Sequence, residues 1–293
     1  MKIGIYSRVL KPEDLGFLQQ LLQLLVEQNI EVLIYDEYYQ QLKQSLILPA
    51  VVQTFGNNEP PLNQRMDYLL SIGGDGTLLN TLELVRNSGI PVLGINTGRL
   101  GLLTDIDRNQ IGTVFTALEN QKYQLDRRTL ISLQSDVLLF GNANFALNEF
   151  AIHKKDTSAM IVIHTYIDGE FVNSYWADGI IVATPSGSTA YSLSCGGPIV
   201  YPTAHAFVVT PVAPHNLNVR PVVVPDHCTI SFKISGRSEN FLCSLDSRYE
   251  TIGQQTTLLV KKANFTLNLV RFEEMHFFST IRKKLMWGQD SRN

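Results

Sequence analysis

The chain has 293 residues, more than one domain ordinarily spans, so two domains are expected and a sizeable core presents no difficulty. Its 44% hydrophobic and 17% charged residues, with no long run of one sign, exclude a disordered or coiled chain and indicate a soluble globular one. A net charge of -3 argues against binding nucleic acid through a general electrostatic field.

Lys2 to Tyr6 reads as a strand, Glu13 to Gln28 as an amphipathic helix with Leu15, Leu18, Leu22 and Leu25 on one stripe, and Ile30 to Tyr35 as a second strand. The segments Asp67 to Ile72 and Pro91 to Ile95, with a helical stretch Thr77 to Asn87 between them, continue the alternation. That is the pattern of a parallel sheet with helices on its faces. After about Gln124 short β-branched and aromatic runs take over: Thr129 to Leu133, Met160 to Ile167, Gly179 to Ala183 and Val222 to Val224. The tail from His276 to Trp287 returns to helical periodicity, with Phe277, Ile281 and Leu285 at four-residue spacing. The expected division is an α/β domain over 1–125, a β-rich domain over 126–274, and a helical tail over 275–293 packing on the first.

Cys195, Cys228 and Cys243 stand far apart with no C-x-x-C pairing, so neither a disulfide framework nor a zinc knuckle is expected, and a reducing, cytoplasmic setting fits. Nothing near Met1 reads as a secretory core and no run of about eighteen apolar residues exists, so no export or membrane-spanning segment is expected.

The run Ser71 to Thr77 (SIGGDGT) sits where a strand ends and a helix begins. In an open α/β sheet that is where ligands bind, and the helix start offers backbone N–H groups to an anion. Gly73, Gly74 and Gly76 let the backbone approach a phosphate. Asp75 would be repelled there unless it takes a hydroxyl proton or holds Mg²⁺. Equally open from the residues alone is a turn-forming Asp75 with Thr77 as helix cap. No G-x-x-x-x-G-K-[ST] loop and no protein-kinase motif is present.

Four further runs complete the pattern. Gly94 to Asp105 (GINTGRLGLLTD) is a second glycine loop without dehydrogenase spacing, and its Arg99 reads equally as a solvated arginine or a phosphate contact. Asn148 and Glu149, in LNEF, pair an amide that donates and accepts with a carboxylate that accepts, which suits a sugar diol. From Asp178 to Val200 (DGIIVATPSGSTAYSLSCGGPIV) a strand leads into small hydroxyl and glycine residues and then a helix from Ala190, with Tyr191 offering a flat face to a ring or sugar. The segment Pro214 to Pro225 carries Arg220 before an apolar run.

GGDGT resembles a signature shared by NAD kinases, phosphofructokinases in a variant form, and diacylglycerol- or sphingosine-type lipid kinases. The Asp178 to Val200 run closely resembles the long NAD-kinase signature, and with the other runs the chain is similar to bacterial-type NAD kinases over about Ser71 to Pro225. The resemblance implies a Rossmann-like parallel sheet in an α/β N-terminal domain, a β-rich C-terminal domain forming a β-sandwich, and a C-terminal helix returning to the first domain. It implies transfer of the terminal phosphoryl group of ATP to the adenosine 2′-hydroxyl of NAD, with Mg²⁺ or another divalent metal accompanying ATP and no protein metal site. Asp75 is implied as the catalytic residue. Gly74, Gly76, Thr77, Asn148, Glu149, Asp178, Thr189, Ala190, Tyr191, Ser192 and Ser194 are implied to bind nucleotide, in a homodimer or homotetramer with no nucleic-acid or membrane partner.

This chain departs from the family pattern at three places. Leu102 and Leu103 stand where an aromatic is common, and Trp176 where a basic residue is common. In Leu245 to Arg248 (LDSR), Ser247 and Arg248 replace glycine and glutamine. Arg248 is expected to bring a cation near phosphate and so to affect donor choice. The rival readings are a GGDGT-type lipid kinase and a noncatalytic NAD-binding sensor.

Overall fold

A computed structural model describes residues 1–56, 62–98, 101–155, 160–272 and 277–286. The chain divides into two compact units, Met1–Arg127 together with Leu267–Asn293, and Arg128–Thr266.

The first unit opens with β1 (Lys2–Tyr6), α1 (Leu15–Glu27), β2 (Glu31–Tyr35), α2 (Asp36–Leu42) and β3 (Gln53–Phe55). There follow β4 (Tyr68–Ile72), α3 (Asp75–Val85), β5 (Val92–Asn96), the short β6 (Ile106–Asp107) and α4 (Ile111–Glu119). β1 pairs in parallel with both β2 and β4, β2 with β3, and β4 with β5, giving the order β5-β4-β1-β2-β3. This is the Rossmann-like sheet expected from the alternation of elements. Its strands are buried almost throughout, as a sheet covered on both faces requires, and α1 turns Phe17, Leu18, Leu21, Leu22 and Leu25 onto it. The strand order reverses between β1 and β4, so the turn leaving β4 stands at the switch point where such sheets bind ligands.

The second unit is antiparallel. β7 (Gln124–Ser135) leads in, followed by β8 (Phe145–Ala146), β9 (Glu149–Lys154), β10 (Ile161–Ile167), β11 (Glu170–Ala177), β12 (Gly179–Ala183) and the one-turn α5 (Tyr191–Ser194). Then come β13 (Ala206–Val212), β14 (Val222–Pro225), β15 (Ile230–Gly236), β16 (Asn240–Leu245), β17 (Arg248–Gly253) and β18 (Leu258–Arg271). One sheet runs β14-β13-β12-β9-β16-β17 and another β11-β10-β15-β18. Phe150, Ile180, Val182, Phe207 and Phe241 of the first share one core with Ile163, Tyr175, Phe232 and Ile234 of the second, and the rings of Phe150 and Phe232 stack at 5.6 Å. Two sheets with their apolar faces joined form the expected sandwich.

The last residues of β18 lie beside β5, with Leu269 opposite Val92, and α6 (Phe277–Leu285) follows in the first unit. Of the predicted tail helix, His276 and Trp287 lie outside the described residues. No helix among the described residues is long and apolar enough to cross a membrane.

Candidate functional site

The candidate residues fall into two groups, one in each unit. In the first, Gly74 is the extended N-cap of α3 (φ −96°, ψ −175°) and Asp75 its first residue, so the helix begins two residues before the predicted Thr77. Thr77 is therefore not the cap. It lies with Gly76 in the first turn, where the helix dipole favours an anion, and its own N–H donates to the Gly74 carbonyl at 2.9 Å.

The Asp75 side chain does not cap its own helix. It reaches the second glycine loop and accepts from the backbone N–H of Leu102 (2.9 Å), Leu103 (3.0 Å) and Thr104 (3.0 Å) and from the Thr104 hydroxyl (3.0 Å). Gly101 has to be glycine here, since a methyl on it would stand 2.0 Å from Asp75 Oδ1. Leu102 and Leu103, which stand where an aromatic is common in the family, thus turn their backbone N–H groups to Asp75; Arg99 lies outside the described residues. The same loop is held from behind by Arg271 at the end of β18. Its guanidinium donates to the carbonyls of Leu103 (3.2 Å) and Leu102 (3.3 Å) and pairs with Asp105 at 2.5 Å and Asp126 at 3.2 Å.

Lys284 of α6 brings an ammonium 2.9 Å from Asp75 Oδ2. Burial alone would raise the Asp75 carboxyl, but the Lys284 ammonium and the N–H groups of Leu102 and Thr104 outweigh it and hold the group below its ordinary value. Among the described residues no group of three or more His, Cys, Asp or Glu is arranged to hold a metal.

In the second unit Asn148 and Glu149 stand at the start of β9, clamped by Asp246. That carboxylate accepts from the N–H groups of Leu147 (2.9 Å), Asn148 (2.7 Å) and Glu149 (3.2 Å), while the Asp246 N–H returns a bond to the Glu149 carbonyl at 3.0 Å. The left-handed position of this turn falls on Asp246 (φ 51°), which leaves Ser247 free of the conformation glycine would favour.

β12 leads into the Thr184 to Thr189 turn. Thr184 donates its N–H to the Asn148 carbonyl (2.8 Å) and its hydroxyl to the Leu147 carbonyl (2.5 Å). Gly187 packs so closely that a methyl on it would lie 1.9 Å from the Asn148 carbonyl oxygen. Thr189 Oγ1 donates to the Ser186 carbonyl (3.0 Å), Ala190 N–H to Gly187 (2.9 Å), and Arg128 to the Ser186 hydroxyl (3.0 Å).

Beyond the turn, Ser192 is wholly buried against Thr210 Oγ1 at 2.8 Å, whereas Ser194 is exposed. Tyr191 is 40% exposed, its ring 5.6 Å from that of His153. Asp178, half-buried between β11 and β12, pairs with Lys154 at 2.6 Å.

Glu149 is the electrostatic anomaly of this group. It is only 9% exposed, and its Oε2 is buried with no hydrogen-bond partner. Burial first and the negative charge of Asp246 second push it up to about 8, against the N–H of Tyr191. A desolvated carboxyl with one unpartnered oxygen beside a partly exposed aromatic marks a place for a polar ligand group.

Arg248 is engaged within the unit. It donates to the carbonyls of Ala143 and Phe145 and lies over the rings of Phe140 and Phe145 at 5.9 and 5.8 Å. Asp246, Arg271, Lys154 and Lys284 were not picked out from sequence. Each meets its partner across a fold contact, and only Asp246 fell inside a quoted motif.

Residues 3–123 match the family model of the ATP-NAD kinase N-terminal domain, and residues 147–272 that of the ATP-NAD kinase C-terminal domain. The NAD kinase of Cytophaga hutchinsonii is 49% identical over 294 residues, covering 100% of both chains. Among solved structures, yeast NADH kinase complexed with NADH has the same fold, with a TM-score of 0.87 at 23% identity over 99% of this chain and 88% of that one. An NAD kinase from Archaeoglobus fulgidus in complex with ATP aligns at a TM-score of 0.72 and 25% identity, over 98% of this chain and 99% of its own. On these full-length matches, the chain belongs to the NAD kinase family.

Proposed function

We propose that this chain transfers the terminal phosphoryl group of ATP to the 2′-hydroxyl of the adenosine ribose of NAD, giving NADP and ADP. The observation that carries the reading is Asp75. At the first residue of a helix on a sheet's switch point, it is fixed by three backbone N–H groups and a hydroxyl. A carboxylate oriented that firmly beside an anion-favouring helix start suits a group that takes a proton as phosphate arrives.

In this reading the ribose oxygen bonds to the terminal phosphorus as the bridging oxygen leaves with ADP, and the hydroxyl proton passes to Asp75. Gly74, Gly76 and Thr77 offer the first turn of α3 to the phosphates. Asn148, Glu149 and Asp178 hold the ribose and nicotinamide portions, Thr189, Ala190, Tyr191 and Ser194 line the dinucleotide, and Ser192, buried on Thr210, supports that segment from within. Arg248 acts by shaping the Phe140 to Phe145 segment that it bonds. A divalent metal, Mg²⁺ in the first instance, enters with the triphosphate as part of the substrate. Assembly as a homodimer or homotetramer in the cytoplasm is part of the same proposal.

Mixing the protein with NAD, ATP and Mg²⁺ and reading NADP through an NADP-specific dehydrogenase tests reaction, acceptor and donor together. Asp75→Asn is expected to lower kcat by about a hundredfold or more, the range of a lost general base. Near-parental turnover would refute the role given to Asp75.

A further inference from the structure

α6 reads FFSTIRKKL, with no acidic residue and three consecutive cations at its end. Ile281, wholly buried, anchors it, and Lys284, three residues on, lies on the neighbouring face. Arg282 and Lys283 are exposed and answer the partial negative charge of a helix C-terminus. Lys284 is placed differently. It spans 209 positions of sequence to reach Asp75 Oδ2, in a pair whose side chains are 34% and 25% exposed.

That pairing conflicts with the work proposed for Asp75. An oxygen engaged by an ammonium accepts a proton poorly. The arriving donor, however, carries several negative charges on its terminal phosphates, more than one carboxylate offers. A lysine ammonium is a compact charge on a flexible stem, able to change partners without backbone movement.

We propose that Lys284 is a ligand of the phosphoryl donor. It alternates between Asp75, where it stands in this structure, and the terminal phosphate of bound ATP, and by leaving it frees Asp75 Oδ2 to take the hydroxyl proton. The proposal rests on the kinase reading above. The step balances: the ribose oxygen–phosphorus bond forms as the bond to ADP breaks, the hydroxyl proton moves to Asp75 and then to solvent, and Lys284 stays an ammonium throughout. The N–H groups of Leu102, Leu103 and Thr104 and the Thr104 hydroxyl keep Asp75 in place meanwhile. Lys284 is the one charged group the described residues bring onto Asp75. Arg271, behind the same loop, is paired with Asp105 and Asp126.

The test is steady-state kinetics of the full chain and of Lys284→Gln, Lys284→Met and Lys284→Arg across pH, with ATP and NAD varied separately. Loss of one charge-assisted contact to phosphate is expected to raise KM for ATP about tenfold or more in the Gln and Met variants, with KM for NAD within about twofold. The acid limb of kcat/KM for ATP, which reports the free enzyme, moves to higher pH, while that of kcat, which reports the ternary complex, stays. Lys284→Arg, which keeps the cation, remains within about threefold of the parent.

An unchanged KM for ATP in the neutral variants overturns the proposal, and so does a joint shift of both acid limbs, the mark of a permanent structural pair. Lys284→Met keeps the apolar stem and carries the test if Lys284→Gln fails to fold. A parent that makes no NADP refutes the kinase reading itself; a parent that turns over normally beside indifferent variants refutes only the role of Lys284.

Discussion

Glu149 shows what one side chain can disclose. Its sequence context suggested a carboxylate that only accepts, but burial and Asp246 hold its proton up to about 8, so near neutrality Oε2 can also donate to a ligand oxygen. The linkage follows from the direction of the shift. The folded chain binds this proton more tightly than the unfolded one, so the contribution is complete below the ordinary value of 4.5 and is lost as pH climbs towards 8. Glu149→Gln has no proton to lose. Its stability relative to the parent is expected to rise between pH 5 and pH 8.5 by roughly 4 kcal/mol at most. Denaturant melts of both proteins at the two pH values measure this, and a pH-independent difference would show that Glu149 ionises normally.

At the scale of elements, the Leu102 to Asp105 loop is gripped from two sides, its N–H groups by Asp75 and its carbonyls by Arg271. Arg271 therefore acts on Asp75 only through the loop, as a positioning residue. Arg271→Met removes the cation from its ion pairs with two part-buried carboxylates, Asp105 and Asp126, whose side chains are 11% and 16% exposed. A loss of about 3 kcal/mol or more is expected, together with a lowered kcat, whereas Arg271→Lys should recover stability better than rate because lysine lacks the planar fork. Equal recovery of both would argue against positioning.

This level also shows where sequence sufficed. β1, β2, β4 and β5 could be read because strands buried on both faces leave short apolar runs bounded by turns, and Gly179 to Ala183 is a strand of those bounds. The helix α2 and the strand β3 escaped notice, since seven and three residues are too few to display a period. The Asp75 turn was legible as a strand-to-helix junction. The reach of its side chain to Leu102 was not, because nothing in the spacing of 27 positions encodes it.

For the whole molecule the same limit recurs. Asp246 meets Leu147 across 99 positions and Lys284 meets Asp75 across 209, pairings that exist only once the sheets have formed. What composition did foreshadow is the state of the thiols, since Cys195, Cys228 and Cys243 are all free. Cys228 and Cys243 are buried and Cys195 is partly so, and burial raises all three, Cys243 to about 12 with the help of Glu250. At pH 8 a thiol of that strength is ionised to about one part in ten thousand, and the thiolate is the reactive form. The melting temperature is therefore expected to be the same within about 1 °C with and without reductant, as a fold without cross-links requires. Iodoacetamide at pH 8 should label Cys195 first and leave Cys243 untouched until the second unit opens, so its labelling rate should track unfolding rather than reagent concentration. Mass spectrometry of a labelling time course measures this. Early modification at Cys243 would mean that the core joining the two sheets opens far more readily than its complete burial implies.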